Sequence, residues 1–177
     1  MGDWPESNAV TLPGPVISSV GPESMAHDLC LNTGLVAASA AWPSASRTIY
    51  VGMVIERVTT VLQMFTYNGA TASGNVDIGI YDYQGNRLVS MGATAQSGTS
   101  VIQLFNITNT TLAPGRYFFG LALSNTTGTF MRVALQTQQE KFGLMYQDAS
   151  SLPATMGFTD VSSAYLPVFG AVVAGTV

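Results

Sequence analysis

The sequence predicts an all-β protein: an antiparallel β-sandwich, jelly-roll-like with about eight strands, that follows an extended N-terminal arm. From Arg47 onward, short runs of β-branched and aromatic residues recur along the chain, which is typical of sandwiches and barrels. Turn residues separate the runs, and no run shows the periodicity of an amphipathic helix. Such strands suit a jelly roll as well as a fibronectin-like sandwich, so the strand order stays open.

The first half of this region predicts four strands. In residues 75–83, Val76, Ile78 and Ile80 alternate with other residues, as expected of a strand with one buried face. The turn QGN follows directly, so the next strand is expected to form a hairpin with this one. Asp82 is expected to begin the turn by accepting hydrogen bonds from backbone amides. The four predicted strands are residues 48–55, 59–67, 75–83 and 87–91.

The second half predicts four more strands. Pro114-Gly115 marks a turn, because proline fixes one φ angle and glycine admits the positive φ that follows. Residues 136–146 are polar without a clear period, and no strand is predicted there. Pro167 places the last strand at a sheet edge or a bulge. These four strands are residues 100–107, 115–123, 129–135 and 164–173.

The chain is divided near Arg47 into an extended, proline-rich arm at residues 1–46 and a sandwich domain at residues 47–177. Five of the eight prolines lie before Arg47. Proline lacks an amide donor and fixes φ, which favours extended or turning backbone. Only residues 25–38 have a composition that allows a short helix or strand, and Gly34 weakens either assignment.

Low charge is the most informative feature of the composition. Asp, Glu, Lys and Arg make up 9% of the chain, against roughly 25% in an ordinary soluble domain. Such a surface is covered either by Thr, Ser, Asn, Gln and Gly or by other protein, and both alternatives stay open. With 6 basic residues against 10 acidic ones, no basic patch is available, so nucleic acid is not an expected partner.

The sequence also predicts a cellular setting. The longest apolar runs are far shorter than the ~20 residues that span a bilayer, so no membrane contact is expected. The first residues, MGDWPESN, lack the basic start and apolar stretch of a signal peptide, which favours synthesis in a cytoplasm. Cys30 is the single cysteine; it permits no internal disulfide and is expected to be buried.

Catalytic groups are sparse, and the chain is not expected to be an enzyme. His27 is the single histidine, and with Cys30 it offers two ligands where structural zinc needs four. Asp77 and Asp82 are five residues apart, so strand alternation places them on opposite faces, which is poor geometry for a carboxylate pair. No catalytic residue, metal or cofactor is therefore expected.

The aromatic residues allow a second kind of site. Exposed aromatic rings over a polar cleft are a platform for sugars. Tyr81, Tyr83 and Tyr117 are the candidates for such a platform, although ordinary strand propensity explains these residues equally well.

Residues 71–130 resemble a domain that recurs among virion structural proteins of tailed bacteriophages. The resemblance is carried by VDIGIYD at residues 76–82, QGNRLVS at residues 84–90 and LAPGRYFFGLAL at residues 112–123. These are fold motifs, and they transfer no functional residue. The resemblance implies a head decoration or cement protein, or a tail or fibre component.

The predicted function is that of a non-enzymatic virion protein that decorates and cements a capsid. Its expected partners are the major capsid protein or other virion subunits, and it is expected to be a homo-oligomer, possibly a trimer. An arm with apolar side chains can lie along a neighbour's groove or add a strand to its sheet. The alternative is a tail, fibre or carbohydrate-binding adhesion domain. The predicted interface residues of the arm are Trp4, Val10, Leu12, Val16, Ile17 and Trp42.

Overall fold

The computed structural model of the chain describes residues 28–30, 38–134, 144–157 and 165–174. Every helix or strand in these residues is a β-strand, and all the strand pairs are antiparallel. The predicted all-β class and antiparallel pairing are confirmed. The jelly-roll topology and the number of about eight strands stay predictions.

The described residues contain thirteen strands. In chain order they are β1 Asp28–Cys30, β2 Ala38–Ala41, β3 Arg47–Ile55, β4 Thr59–Tyr67, β5 Asn75–Asp82, β6 Arg87–Ser90, β7 Thr94–Ala95, β8 Ile102–Leu112, β9 Gly115–Leu123, β10 Thr129–Ala134, β11 Leu144–Asp148, β12 Tyr165–Pro167 and β13 Phe169–Val173. The bounds of β4 and β9 are those that the sequence predicts.

The strands form three sheets. A six-stranded sheet has the order β11-β3-β9-β5-β6, with β7 also paired to β5. A four-stranded sheet has the order β1-β13-β4-β8, and a three-stranded sheet has the order β12-β10-β2. The long strands β4 and β8 pair along most of their length, from Thr59 opposite Leu112 to Tyr67 opposite Ile102.

One hydrophobic core lies between the six-stranded sheet and the two smaller sheets. The alternation of strand residues supplies it, because every second side chain of a strand points to the same face. Ile49 and Phe119 enter it from the six-stranded sheet, Met64 and Phe105 from the four-stranded sheet, and Phe130 from the three-stranded sheet. These side chains are 2% exposed or less. This arrangement is that of a β-sandwich.

The predicted last strand is two strands that belong to different sheets. β12 pairs with β10, whereas β13 pairs with β4. Between them, the Val168 amide donates to the Met131 carbonyl at 2.8 Å, and the Val168 carbonyl accepts from the Tyr67 amide at 2.9 Å. Pro167 ends β12 at the edge of its sheet, where a missing amide donor is tolerated.

The predicted boundary between arm and sandwich at residue 47 is wrong, because the last residues assigned to the arm belong to the sandwich. β2 pairs with β10 from Ala38 opposite Arg132 to Ala41 opposite Thr129. Trp42 is 1% exposed and belongs to the core. The prolines and the lack of periodicity concealed this strand, because β2 has only four residues, all small. The fold therefore includes residues 38–46.

Candidate functional site

The outer face of the four-stranded sheet carries an apolar surface. Ile102 is 45% exposed and Leu104 is 53% exposed, whereas Phe105 between the sheets is buried. In the register with β4, Ile102 lies opposite Tyr67 and Leu104 lies opposite Phe65. Two rings of β4 and two aliphatic side chains of β8 thus occupy neighbouring positions on one face. Farther along the same strands the face becomes polar.

That polar part is tied together by side chains. Gln63 Nε2 donates to Asn106 Oδ1 at 2.6 Å. The hydroxyl groups of Thr60 and Thr111 share a 3.0 Å hydrogen bond. Cross-strand pairs of this kind stabilise the β4–β8 pairing. Neutral groups supply all of these interactions.

Charge is missing from three of the four strands of this sheet, and the fourth strand, β1, carries Asp28. β4, β8 and β13 contain no Asp, Glu, Lys or Arg, and the sequence has no charged residue between Arg87 and Arg116. β8 is also an edge strand, with β4 as its single partner in the described part of the chain. Edge strands are normally protected against pairing by charges, prolines, bulges or short length. β8 has eleven residues, none of them charged and none proline. Its pairing with β4 is irregular between Asn106 and Thr110, and it is regular over residues 102–106.

A buried polar network fixes the start of β8. Asn68 is fully buried, and its Nδ2 donates to Gln103 Oε1 at 2.9 Å and to the Ser97 carbonyl at 2.7 Å. Gln103 Oε1 also accepts from the Ser97 amide at 2.8 Å, and Gln103 Nε2 donates to the Ala95 carbonyl at 2.9 Å. Buried amides that are satisfied in this way rigidify the backbone around them. The edge is thus held in a defined position.

An open cleft of about 750 Å³ separates β6 from the second half of β8. Thr108 and Thr110 line it on the β8 side, and Leu88 and Ser90 line it on the β6 side. Its acidic group is Asp77, which is 4% exposed. Both carboxylate oxygens of Asp77 already accept hydrogen bonds, one from Ser90 and the other from Leu152. The cleft thus presents hydroxyl and apolar groups rather than a free carboxylate.

Residues 149–157, here called the covering segment, lie over the outer face of the six-stranded sheet. Asp77 Oδ2 accepts from the Leu152 amide at 2.9 Å, while Asp77 Oδ1 accepts from the Ser90 hydroxyl at 2.7 Å. The Tyr81 hydroxyl donates to the Pro153 carbonyl at 2.7 Å. β5 therefore has both faces buried, and the expectation of one exposed face is wrong because the covering segment excludes water from the second.

Two glycines make room for the covering segment. Gly79 of β5 lies opposite Gly120 of β9. A Cβ atom on either glycine would be 2.9 Å from a methyl group of Leu152. Leu152 is 3% exposed and packs in one cluster with Tyr50 and Tyr81. The side chain of Leu152 thus fills the hollow that the glycine pair leaves in the sheet.

The two tyrosines in this cluster have raised pKa values. Tyr50 and Tyr81 pack edge to face, with ring centroids 5.2 Å apart. Burial raises the pKa of Tyr50 to about 12. Burial and the neighbouring Tyr50 also raise the pKa of Tyr81. Neutral phenols that are buried and hydrogen-bonded are typical of structural positions.

The predicted role of Asp82 in the hairpin is confirmed. Asp82 Oδ1 accepts from the Asn86 amide at 2.8 Å, and Asp82 Oδ2 accepts from Asn86 Nδ2 at 3.1 Å. The Gly85 amide donates to the Asp82 carbonyl at 3.0 Å, and Gly85 has a φ of 87°. The hydrogen bonds from Asn86 lower the pKa of Asp82. The carboxylate shapes a turn.

The three tyrosines predicted as a sugar platform do not form one. Tyr81 is fully buried beneath the covering segment. Tyr117 is partly buried, packs against the main core and donates to the Ala113 carbonyl at 2.9 Å. Tyr83 is 60% exposed. The prediction is wrong because β5 is covered on the face where Tyr81 lies.

The predicted interface residues of the arm divide into two groups. Trp42 is a core residue: its ring packs edge to face on Phe130 and on Tyr165, with centroids 5.5 Å away in each case. Its assignment to an interface is wrong, because its indole is enclosed by the sandwich. The other five predicted interface residues lie outside the described residues: Trp4, Val10, Leu12, Val16 and Ile17. His27 also lies outside them.

Cys30 lies in β1, where it is paired with Gly170. Among the side chains in the described residues, no group of three or more His, Cys, Asp or Glu is placed to hold a metal ion. Within the same residues, no helix has the length and hydrophobicity needed to cross a membrane.

Sequence reasoning missed the apolar surface of β8 and the network around Asn68. The uncharged run between Arg87 and Arg116 was a readable signal for the surface. The network had no such signal, because it joins residues that are about thirty positions apart, such as Asn68 and Gln103.

Comparisons of the chain with protein-family models, with curated proteins and with solved structures found no significant match.

Proposed function

We propose that this chain is a non-enzymatic structural protein of a bacteriophage particle, which decorates the capsid and cements it. The observation that carries the proposal is the absence of charged residues from β4, β8 and β13 of the four-stranded sheet, with β8 at the sheet edge in the described part of the chain and with the exposed side chains of Ile102 and Leu104. A long uncharged edge next to exposed apolar side chains is a surface for pairing with other protein.

The distribution of charge supports an assembling role. Arg47, Asp77, Asp82, Arg87 and Arg116 all lie on strands of the six-stranded sheet. The four-stranded sheet lacks charged residues on β4, β8 and β13. Charged residues are depleted at the centre of protein interfaces, because burying an unpaired charge is costly. Charged residues are thus concentrated on the six-stranded sheet, and β4, β8 and β13 form a neutral surface that is suited to contact with protein.

The proposed partners are the major capsid protein and further copies of this chain. The proposed location is the virion, after synthesis in the host cytoplasm. The N-terminal residues contribute a tether, with Val10, Leu12, Val16 and Ile17 as its apolar contacts. The phage assignment is supported by the resemblance of residues 71–130 to virion domains.

The number of copies in a purified particle tests the proposal. Quantitative mass spectrometry of virions, with the major capsid protein as the internal standard, gives this number directly. A decorating protein is expected at hundreds of copies, in a fixed ratio to the shell subunit. A few copies that co-purify with tails would contradict the decoration role and favour the tail or fibre alternative.

A deletion of residues 2–27 tests the tether. It keeps β2 and Trp42, which the fold requires, and it removes the apolar residues of the arm. The truncated protein is expected to bind particles more weakly and to protect them less against heat. Unchanged loading and unchanged heat resistance would show that the tether plays no part.

A further inference from the structure

The open edge of β8 is accessible along one half only. Thr108 and Thr110 line the cleft opposite β6, so the second half of the strand already faces other residues of the same chain. Residues 101–105 do not line that cleft. Val101, Ile102 and Leu104 are all more than 40% exposed. Among the described strands only β4 pairs with residues 101–105, so the other edge of this half is available to a strand from another chain.

We propose that two copies of this protein pair through this half of β8. The two strands run antiparallel across a twofold axis that passes next to Gln103. Ile102 of one copy then lies opposite Leu104 of the other, and Val101 lies opposite Phe105. The two four-stranded sheets join into one continuous sheet across the axis. The pairing rests on the proposed function to the extent that both require a protein that assembles.

A second copy fits this edge better than a protein with a charged edge. Neither copy brings a charge to the contact, because residues 88–115 contain none, so no charge is buried without a partner. The twofold axis also places both apolar surfaces side by side. Tyr67 and Ile102 of one copy continue into Leu104 of the other, given their register within each sheet. Phe65, opposite Leu104, is 2% exposed and already packs against Val168 of its own chain, so it supports the surface from beneath.

The register of β8 is fixed before the two copies meet. Gln103 is held by three side-chain hydrogen bonds, to Asn68, Ser97 and Ala95, at 2.8–2.9 Å. Its side chain points into the sandwich, which leaves Ile102 and Leu104 on the outer face. A rigid edge loses little conformational freedom when a second strand binds, which favours pairing.

Cysteine crosslinking tests the register. Residues directly opposite each other in an antiparallel pair have Cα atoms about 4.5–5.5 Å apart, which suits a disulfide. Diagonal neighbours are about 7–8 Å apart, which does not. We expect a mixture of Ile102→Cys and Leu104→Cys, both in a Cys30→Ala background, to form disulfide-linked dimers about tenfold faster than either variant alone. Equal rates, or no crosslinking in the mixture, would overturn the proposal.

Introducing a charge into this surface provides an independent measurement. Leu104→Lys places two like charges near the twofold axis, and sedimentation of the purified protein is expected to show at least about a tenfold weaker dimer. Val54→Lys is the matched control, because Val54 is 42% exposed on the six-stranded sheet, and it should leave the dimer unchanged. A dimer that survives Leu104→Lys, or one that is lost when residues 2–27 are deleted, would overturn the β8 contact.

These measurements use purified protein and need no particles. A monomeric protein that still loads onto virions in hundreds of copies would overturn the pairing and leave the decoration role standing. A protein that dimerises through β8 but is absent from virions would overturn the decoration role and leave the pairing standing. Twofold pairing does not itself build the trimer that the sequence suggests; it joins single copies, or whole trimers, in pairs.

Discussion

The carboxylate of Asp77 and the backbone amide of Leu152 are joined by a 2.9 Å hydrogen bond across 75 residues of sequence. The same carboxylate accepts from the hydroxyl of Ser90, the last residue of β6. One buried acid of β5 is therefore bonded both to β6 and to the covering segment. The Leu152 carbonyl in turn accepts from the guanidinium of Arg87. Asp77 and Arg87 thus hold the two backbone groups of Leu152.

Asp77→Ala is expected to lower the free energy of unfolding by about 3 kcal/mol, because two buried donors lose their acceptor. Urea denaturation measures this change. Ser90→Ala removes one of the two hydrogen bonds and is expected to cost about 1 kcal/mol. Equal losses for the two variants would show that the bond to Leu152 contributes nothing.

The tyrosine pair predicts a loss of stability in alkali. The pKa of Tyr50 is raised from 10.0 to about 12 by burial, and that of Tyr81 is raised as well. The folded state thus holds protons that the unfolded state releases, so the stability from these phenols is complete below pH 10 and is lost as the pH rises towards 12. Unfolding curves measured from pH 8 to 12 test this.

Two substitutions test whether the loss of stability in alkali comes from the buried phenols or from an exposed one. Tyr81→Phe removes one perturbed phenol and is expected to weaken the dependence on pH between 10 and 12. Tyr83→Phe is the control, because Tyr83 is 60% exposed, and it should leave the dependence unchanged. A steep alkaline loss that Tyr81→Phe does not reduce would assign the effect to other groups.

The sequence predicted correctly those features that depend on interactions between residues close together in the chain, and it missed those that depend on distant residues. Periodicity and turn chemistry act over a few residues, which is why the bounds of β4 and β9 and the role of Asp82 could be predicted. β2 and Trp42 could not, because the pairing of β2 and the burial of Trp42 next to it depend on a partner strand, β10, about ninety residues later. The tyrosine platform was wrong for the same reason: Tyr81 alternates correctly along β5, but a segment some seventy residues away covers it.

The candidate surface shows the same limit. Low overall charge left two alternatives open, a neutral polar surface or contact with other protein, and the structure shows where the uncharged strands lie together. Sequence alone did not reveal that β8 is an edge strand, because strand order depends on which distant segments pair. Ile102 and Leu104 were predicted strand residues without any indication that they face solvent.

The glycine pair under Leu152 predicts a strong effect of adding one methyl group. Gly120→Ala would place a Cβ 2.9 Å from Leu152 and 3.1 Å from the Tyr50 ring. Displacement of the covering segment is expected to cost about 1–3 kcal/mol of stability. Gly115→Ala is the matched control in the same strand, since its Cβ meets nothing nearer than 3.7 Å. Thermal unfolding of both variants measures the difference, and equal melting temperatures would contradict the packing of Leu152.

Substitutions at Trp42 test whether this residue belongs to the core or to an interface. Its ring is 1% exposed between Phe130 and Tyr165, and its Nε1 donates to the Arg47 carbonyl at 3.1 Å. Trp42→Ala is expected to cost about 3–5 kcal/mol of stability, because it leaves a large cavity. Trp42→Phe keeps an aromatic ring and should cost less. If Trp42→Ala unfolds at the same urea concentration as the parent protein but no longer assembles, Trp42 belongs to an interface after all.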